Sequence, residues 1–201
     1  MARSLNKSRI MWSKAMGLVV FFCIFLTSAF IHPEGAVHEM LDMAGLLLIS
    51  ICALGRLYTT AFLGGSKNET LISWGPFSVV RNPLYVFSWI GFTGIALMTT
   101  HLVLIICVPV FFYILYYSLV QREEAFLIQK FGHDYADYKS RVPRFFPNLS
   151  LYKSPDEIKV SSGLLMNGAL DAVWWFAAYP LIELAEFVQE QGMLSPLFMV
   201  P

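Results

Sequence analysis

The chain alternates long apolar runs with short polar segments, and the lengths of the runs predict membrane-spanning helices. A helix crosses a bilayer with about 20 mostly apolar residues, within a range of about 17–25. Four runs have this character: residues 15–31, 40–55, 84–100 and 102–120. The second run is expected to continue past Arg56, whose long stem lets the charged end reach the interface. We therefore predict an all-α integral membrane bundle of four core transmembrane helices, the last two joined in a tight hairpin at His101.

A fifth apolar run, residues 164–182, is weaker because Asp171 and Pro180 interrupt it. We expect it to cross the membrane and to pack against the core without contributing to a binding site. An aspartate near the centre of a spanning helix costs about 2.5–3.5 kcal/mol on insertion scales, so Asp171 should face protein. Its candidate partners are polar groups on other spans and nearby indoles, namely Ser50, Ser88, Thr93, Trp174 and Trp175. The alternative is an interfacial or re-entrant helix broken at Pro180, with both of its ends on one side.

Positive charge predicts which side of the membrane each loop faces, because Lys and Arg concentrate in cytoplasmic loops. All 14 basic residues lie in the N-terminal segment, in the connection between the second and third runs, or after the fourth run. This distribution places the N-terminus and residues 121–162 in the cytoplasm. With five spans, the C-terminus lies outside. A bacterial plasma membrane and the endoplasmic reticulum both fit this arrangement.

Composition narrows the classes of function. Charged residues make up 14% of the chain, against about 25% in soluble domains. A net charge of zero gives a nucleic-acid partner no electrostatic support. The three cysteines have no metal-type partner at short spacing, so no metal site is predicted.

The first polar segment with candidate chemistry is residues 75–85. Asn82 followed by Pro83 is typical of a helix N-cap with proline at the first helical position. The third span therefore begins here, with its unbonded N–H groups at the cytoplasmic interface. That helix end, with Arg81 beside it, suits an anionic group such as a carboxylate. The alternative is that Asn82 and Pro83 only start the helix and Arg81 only anchors it at the interface.

The second such segment follows the fourth span. Glu123 and Glu124 point about 100° apart on a helix, so we expect one to enter a site and the other to face solvent or headgroups. Gly132 is expected to end the helix, and Tyr135 and Tyr138 to share one face of a short helix after it. Arg144 is expected in the headgroup region. The alternative is an amphipathic interfacial helix that needs no ligand.

The chain contains three motifs in this order: G-P-F-x-x-V-R-N-P-L-Y, then R-E-E-A-F-L-I-x-x-F-G-x-x-Y-x-x-Y, then R-x-P-R-F-F-P. Over residues 54–147 the chain resembles the isoprenylcysteine carboxyl methyltransferase family. That family belongs to a wider membrane methyltransferase group that includes phospholipid N-methyltransferases. The chain differs in having Asn82 where many members have His, and in continuing well past the last motif. We therefore divide it into residues 1–147, a methyltransferase-like core, and residues 148–201, a linker and extension.

The resemblance implies S-adenosylmethionine as cofactor, bound on the cytoplasmic side. The cofactor-binding positions carried over are Arg81, Asn82, Pro83, Tyr85, Glu123 and Glu124, and the catalytic positions are Arg81, Glu123 and Arg144. The implied reaction is carboxyl O-methylation of a lipid-like or prenylated small-molecule acceptor. Methylation of a phospholipid amine or of a thiol remains open, as does a non-catalytic membrane subunit that keeps the fold. The oligomeric state is open.

Overall fold

The described part of the chain is a helical bundle. The computed structural model describes residues 35–64 and 70–193, together with residues 11, 15, 17, 18, 27–29 and 198–200. The helices are α1 (Ala36–Phe62), α2 (Pro76–Val79), α3 (Pro83–Met98), α4 (Leu102–Phe131), α5 (His133–Arg141), α6 (Ser162–Phe176) and α7 (Ala178–Glu190), with a 3-10 turn at Leu149–Leu151. Two three-residue strands, β1 (Thr27–Ala29) and β2 (Phe198–Val200), pair in parallel.

Two of the described helices, α1 and α4, are long and apolar enough to cross a membrane. Helix α3 is apolar but has 16 residues, about 24 Å at 1.5 Å per residue, which is less than the hydrocarbon core of about 30 Å. The first predicted span, residues 15–31, lies mostly outside the described residues, and the part that is described includes β1. The helical membrane character is thus confirmed, whereas the count of four core spans stays a prediction.

Glycines allow α1 and α3 to approach closely. A methyl group at Gly45 would come 2.7 Å from the carbonyl oxygen of Gly94, and one at Gly94 would come equally near the carbonyl of Gly45. Small residues at such crossings let helix backbones touch without side chains between them. This contact holds α3 against α1 and so orients the beginning of α3.

The predicted hairpin between α3 and α4 is confirmed. Thr99, Thr100 and His101 separate the two helices and are buried. Thr100 has a φ of 53°, a left-handed conformation that is uncommon outside glycine. The Thr99 hydroxyl donates to the carbonyl of Ala96 at 2.7 Å, which satisfies one of the last carbonyls of α3.

The fifth apolar run forms two helices rather than one. Helix α6 ends at Phe176 and α7 starts at Ala178. Proline has no N–H group, and its ring clashes with the carbonyl four residues before it. For Pro180 that carbonyl belongs to Phe176, which explains the position of the break. Pro180 itself lies in the first turn of α7, where proline is tolerated.

Together α6 and α7 run along the whole length of α1. Contacts progress from one end of α1 to the other, pairing Gly64 with Lys159, Thr60 with Gly168, Arg56 with Asp171, Ile49 with Ile182 and His38 with Glu186. At the last of these, the Nε2 atom of His38 lies 3.4 Å from Oε2 of Glu186. The extension is therefore antiparallel to α1 and packed on it, as the sequence predicted for the fifth run.

Candidate active site at the start of α3

The two polar segments singled out in the sequence lie together. Three backbone hydrogen bonds join residues 75–81 to residues 143–153, from Gly75 to Lys153 at 2.6 Å, from Arg81 to Pro143 at 2.9 Å and from Asn148 to Val79 at 2.9 Å. Gly75 has a φ of 60°, and a side chain there would overlap the ring of Phe62. The turn at Gly75 thus requires glycine, and it directs the first segment towards the second.

Asn82 and Pro83 start α3 as predicted, but Asn82 acts differently from a capping residue. Its side chain accepts no hydrogen bond from the first turn of the helix. Instead, the Asn82 Nδ2 group donates to the carbonyl oxygen of Arg144 at 3.3 Å. Pro83 is fully buried. The Asn82 side chain therefore connects the two polar segments, while the Asn82 carbonyl accepts the N–H group of Tyr85 in the first turn at 3.1 Å.

Glu124 is the centre of a buried cluster of charge. Its residue is 3% exposed, and its two carboxylate oxygens accept bonds from Nε and Nη2 of Arg144 at 3.1 and 2.8 Å. Nη2 of Arg81 lies 3.5 Å from the same carboxylate. Two-pronged arginine–carboxylate pairs are among the strongest polar contacts in proteins. These hydrogen bonds to Glu124 raise the pKa of Arg144 above its ordinary value.

Arg81 is buried and incompletely bonded. Its side chain is 8% exposed, which disfavours the alternative in which Arg81 only anchors the helix at the interface. Its Nε and Nη1 atoms are buried and find no acceptor among the described residues. A buried donor without a partner costs about 1–3 kcal/mol, and more when it is charged. Nε and Nη1 lie on different edges of the guanidinium, so each would donate separately to an anionic or polar oxygen. Donors of this kind fit the carboxylate end of S-adenosylmethionine.

Glu123 has a different environment from Glu124. It is half-buried, and its Oε1 accepts a hydrogen bond from the Tyr85 hydroxyl at 2.8 Å. The two glutamates therefore differ in burial and in partner. However, Glu123 is not turned out into solvent, as had been expected for one of the pair. The reason is that the segment containing Asn82 and Tyr85 covers this side of α4.

Aromatic side chains that the sequence reasoning missed surround the charges. The Tyr85 ring packs on Tyr116 at 5.1 Å between centroids, and the guanidinium of Arg144 lies 5.3 Å from the ring centre of Tyr117. Tyr116 and Tyr117 precede Glu123 and Glu124 by seven residues, about two helical turns, so each shares a face with one glutamate. That spacing could have identified them.

The third motif is only partly at the surface. Arg144 is drawn inward by Glu124, and Phe145 packs against Tyr113 and Tyr117 with centroids 5.6 and 6.3 Å away. Phe146 is 82% exposed. Of these residues, Phe146 alone has the exposure expected for the headgroup region.

Helix α5 is packed rather than merely interfacial. Gly132 ends α4 with a φ of 53°, as predicted. Tyr135 and Tyr138 share the buried face of α5, also as predicted, and pack with Val142. The Tyr138 hydroxyl donates to the carbonyl of Phe77 at 2.7 Å. Burial raises the pKa of both phenols above its ordinary value, so they stay protonated at neutral pH.

Comparisons with known proteins identify the family of the chain. The family model described as phospholipid methyltransferase matches residues 40–134. The cobalt-zinc-cadmium resistance protein CzcN of Cupriavidus metallidurans is 32% identical over 158 residues, which cover 79% of this chain and 73% of that protein. The nickel-cobalt-cadmium resistance protein NccN of Alcaligenes xylosoxydans xylosoxydans is 29% identical over 157 residues, covering 78% of this chain and 73% of that protein. No solved structure matches the chain.

The matched range contains most of α1 and all of α3 and α4, together with Arg81, Asn82, Glu123 and Glu124. It ends before Arg144 and the extension. The resemblance inferred from the motifs is thereby confirmed for the wider group: the chain belongs to the phospholipid methyltransferase family of membrane proteins.

Proposed function

We propose that the chain transfers a methyl group from S-adenosylmethionine to a lipid-tailed acceptor at the cytoplasmic face of a membrane. The observation that carries the proposal is that two buried nitrogens of Arg81, Nε and Nη1, have no acceptor among the described residues, at the N-terminal end of α3. A helix N-terminus and a guanidinium both favour an anion. The methionyl carboxylate of the cofactor is an anion that would satisfy both.

The neighbouring residues would bind another part of the cofactor or hold the site in place. Glu124 is occupied by Arg81 and Arg144 and holds both guanidiniums in place. Glu123 is therefore the glutamate that would bind the ribose hydroxyls or the amino group of the cofactor. Asn82 and Tyr85 join the segment before α3 to Arg144 and Glu123 respectively. This web of contacts aligns the site, which is the protein's main contribution when a cofactor carries the reactive group.

When bound, S-adenosylmethionine supplies a methyl group on a positively charged sulfur, ready for direct displacement. A carboxylate acceptor is already a nucleophile at neutral pH, whereas an ammonium or a thiol must first lose a proton. This supports carboxyl O-methylation of an isoprenylcysteine-like acceptor, with a phospholipid amine and a thiol as the alternative acceptors.

A second candidate is a membrane subunit that keeps the fold without catalysis. Both relatives carry the names of metal resistance proteins rather than of methyltransferases. In that case the chain would serve metal resistance through a partner, and it would not bind the cofactor. Binding of S-adenosylmethionine therefore separates the two candidates.

The test is calorimetric titration of the detergent-purified full chain with S-adenosylmethionine and with its decarboxylated analogue. We expect the first to bind and the second to bind roughly tenfold or more weakly, because the contact to Arg81 is lost. Absence of binding by S-adenosylmethionine would support the subunit instead. Equal binding of the two compounds would contradict the role of Arg81.

The acceptor is identified by product analysis with labelled cofactor. Purified chain in vesicles would be offered a prenylated cysteine analogue, phosphatidylethanolamine and a small aliphatic thiol. We expect base-labile label, typical of a methyl ester, on the prenylated cysteine analogue. Label on the lipid amine or on the thiol sulfur would assign the alternative acceptors.

A further inference from the structure

Arg56 forms a bridge between three helices. Its Nε donates to Oδ2 of Asp171 on α6 at 2.6 Å. Its Nη1 donates to the Ser88 hydroxyl at 2.5 Å and to the carbonyl of Leu84 at 3.3 Å, both on α3. Its guanidinium also lies 5.7 Å from the centre of the Trp175 ring on α6. The arginine that was expected to reach the interface thus points into the bundle, and it is the partner of Asp171.

The contact to Leu84 places this bridge next to the candidate site. Leu84 is the second residue of α3, and Arg81 and Asn82 directly precede the helix. The Leu84 carbonyl also accepts from the Ser88 hydroxyl at 2.7 Å. Because Arg56 is held at its other side by Asp171, the first turn of α3 is connected to α6 through one guanidinium.

The ion pair is short but only partly buried, since the side chains of Arg56 and Asp171 are 21% and 40% exposed. A charged side chain in the membrane is unfavourable by about 2.5–3.5 kcal/mol on insertion scales, and pairing relieves it. Arg56 and Asp171 relieve each other, and breaking such a pair leaves a charge without its counterion. Arg56, Leu84 and Ser88 lie within the residues that match the family model, whereas Asp171 lies in the extension beyond them.

We propose that Asp171 is a positioning residue for the methyltransferase site: through Arg56 it orients the first turn of α3, and with it Arg81 and Asn82. The C-terminal extension is then a working part of the enzyme rather than an added anchor. This inference rests on the proposed cofactor site and goes beyond it, because it assigns a role to a helix outside the matched family core.

The test compares Asp171→Ala with Ile182→Ala in the full-length protein. Ile182 is buried, packs with Ile49 and Met98 on the same side of α1, and does not belong to the Arg56 bridge. Both variants should lower the thermal unfolding temperature. We expect Asp171→Ala alone to weaken S-adenosylmethionine binding, by about tenfold, which corresponds to 1.4 kcal/mol. Ile182→Ala should bind as the wild type does.

Two further variants keep the test decisive if Asp171→Ala does not fold. Asp171→Asn retains a hydrogen-bond acceptor for Arg56, and Ser88→Ala removes one contact on α3 while leaving the ion pair intact. Both should weaken cofactor binding at least threefold with little change in unfolding temperature. Wild-type affinity in every folded Asp171 variant would overturn the inference. If Ile182→Ala also loses cofactor affinity as its unfolding temperature falls, the inference is overturned as well. If the wild-type chain does not bind the cofactor, the proposed function itself is overturned.

Discussion

At the scale of single residues, the environment of Arg81 matters more than its charge alone. Its backbone N–H bonds to Pro143, one of its nitrogens faces Glu124, and two others are buried without acceptors among the described residues. Arg144 already makes two hydrogen bonds to the carboxylate of Glu124. Balancing that charge therefore does not explain why Arg81 is buried with two nitrogens unbonded. The unbonded donors are the feature that a ligand would satisfy.

The first prediction is that Arg81→Met weakens S-adenosylmethionine binding roughly 10- to 100-fold, since hydrogen bonds to charged groups contribute about 1.5–3 kcal/mol. Methionine keeps much of the volume of the arginine stem, so the packing loss stays small. Calorimetric titration measures the affinity. The matched control is Arg122→Met, an exposed arginine on α4, which should bind normally. If both variants lose cofactor affinity equally, or if neither loses affinity, Arg81 does not bind the cofactor.

The second prediction is that Glu123→Gln and Glu124→Gln have unequal effects. Glu124→Gln should raise the dissociation constant of the cofactor at least tenfold more than Glu123→Gln, a difference of about 1.4 kcal/mol. The reason is that Glu124 orients the two guanidiniums of Arg81 and Arg144, whereas Glu123 accepts a hydrogen bond from the neutral hydroxyl of Tyr85.

Titration of both variants under one condition provides the comparison, with unfolding temperature measured in parallel. Tyr85→Phe is the matched control for Glu123, because it removes the same hydrogen bond from the other side. Small and equal effects of the two glutamine variants would show that the pair is not part of the cofactor site.

At the scale of elements, α5 supports the segment that leads into α3. The bond from Tyr138 to the carbonyl of Phe77 joins α5 to α2, and the backbone bond from Arg81 to Pro143 follows on the same side. Helix α5 is therefore fastened to the turn that presents Arg81. An amphipathic helix at the membrane interface is not needed to explain its two buried tyrosines.

The third prediction concerns this attachment. Tyr138→Phe should lower the free energy of unfolding by about 0.5–1.5 kcal/mol, because the partly buried hydrogen bond to the Phe77 carbonyl is lost. At about 2–4 °C per kcal/mol for a chain of this size, the unfolding temperature should fall by several degrees. The control is Tyr152→Phe, whose hydroxyl contacts Tyr58 in an exposed position, and which should change the unfolding temperature by less than a degree or so. An unchanged unfolding temperature in Tyr138→Phe would contradict the assigned bond.

At the scale of the whole molecule, the fourth prediction is the orientation in the membrane. A cysteine at exposed Lys139 should react with impermeant reagents only from the cytoplasmic side, because every basic residue lies in segments assigned to that side. Labelling of intact cells and of inverted vesicles makes the comparison. Reaction from the external side of intact cells would show that the predicted orientation is wrong.

The same prediction extends to the other end of the chain. Helices α6 and α7 run along α1 from the Gly64 end to the His38 end. We therefore expect them to cross the membrane together with α1. A reporter fused after Pro201 should therefore be active outside the cytoplasm, with a fusion within residues 148–161 as the cytoplasmic control. Cytoplasmic activity at both points would leave a four-span chain with an appended helix pair.

Local features were predictable from the sequence because neighbouring residues determine them. Long apolar runs predict α1 and α4, Asn82 and Pro83 mark the start of α3, and Gly132 marks the end of α4. Proline and glycine restrict or release the backbone at their own positions, so their meaning depends little on distant packing. The same local reasoning, applied to Pro180, could have placed the break between α6 and α7.

The partners of the charged groups were decided only by the tertiary structure. Arg144 reaches Glu124 across 20 positions and Arg56 reaches Asp171 across 115, and a hydropathy pattern does not specify which faces of two helices meet. For the same reason the sequence assigned Asn82 to capping and Arg56 to the interface, whereas packing turned both towards distant partners. The sequence by itself thus determined the membrane class, the two long apolar helices α1 and α4 and the segments that carry the candidate chemistry. Helix packing decided which charges meet and left two nitrogens of Arg81 buried without acceptors among the described residues.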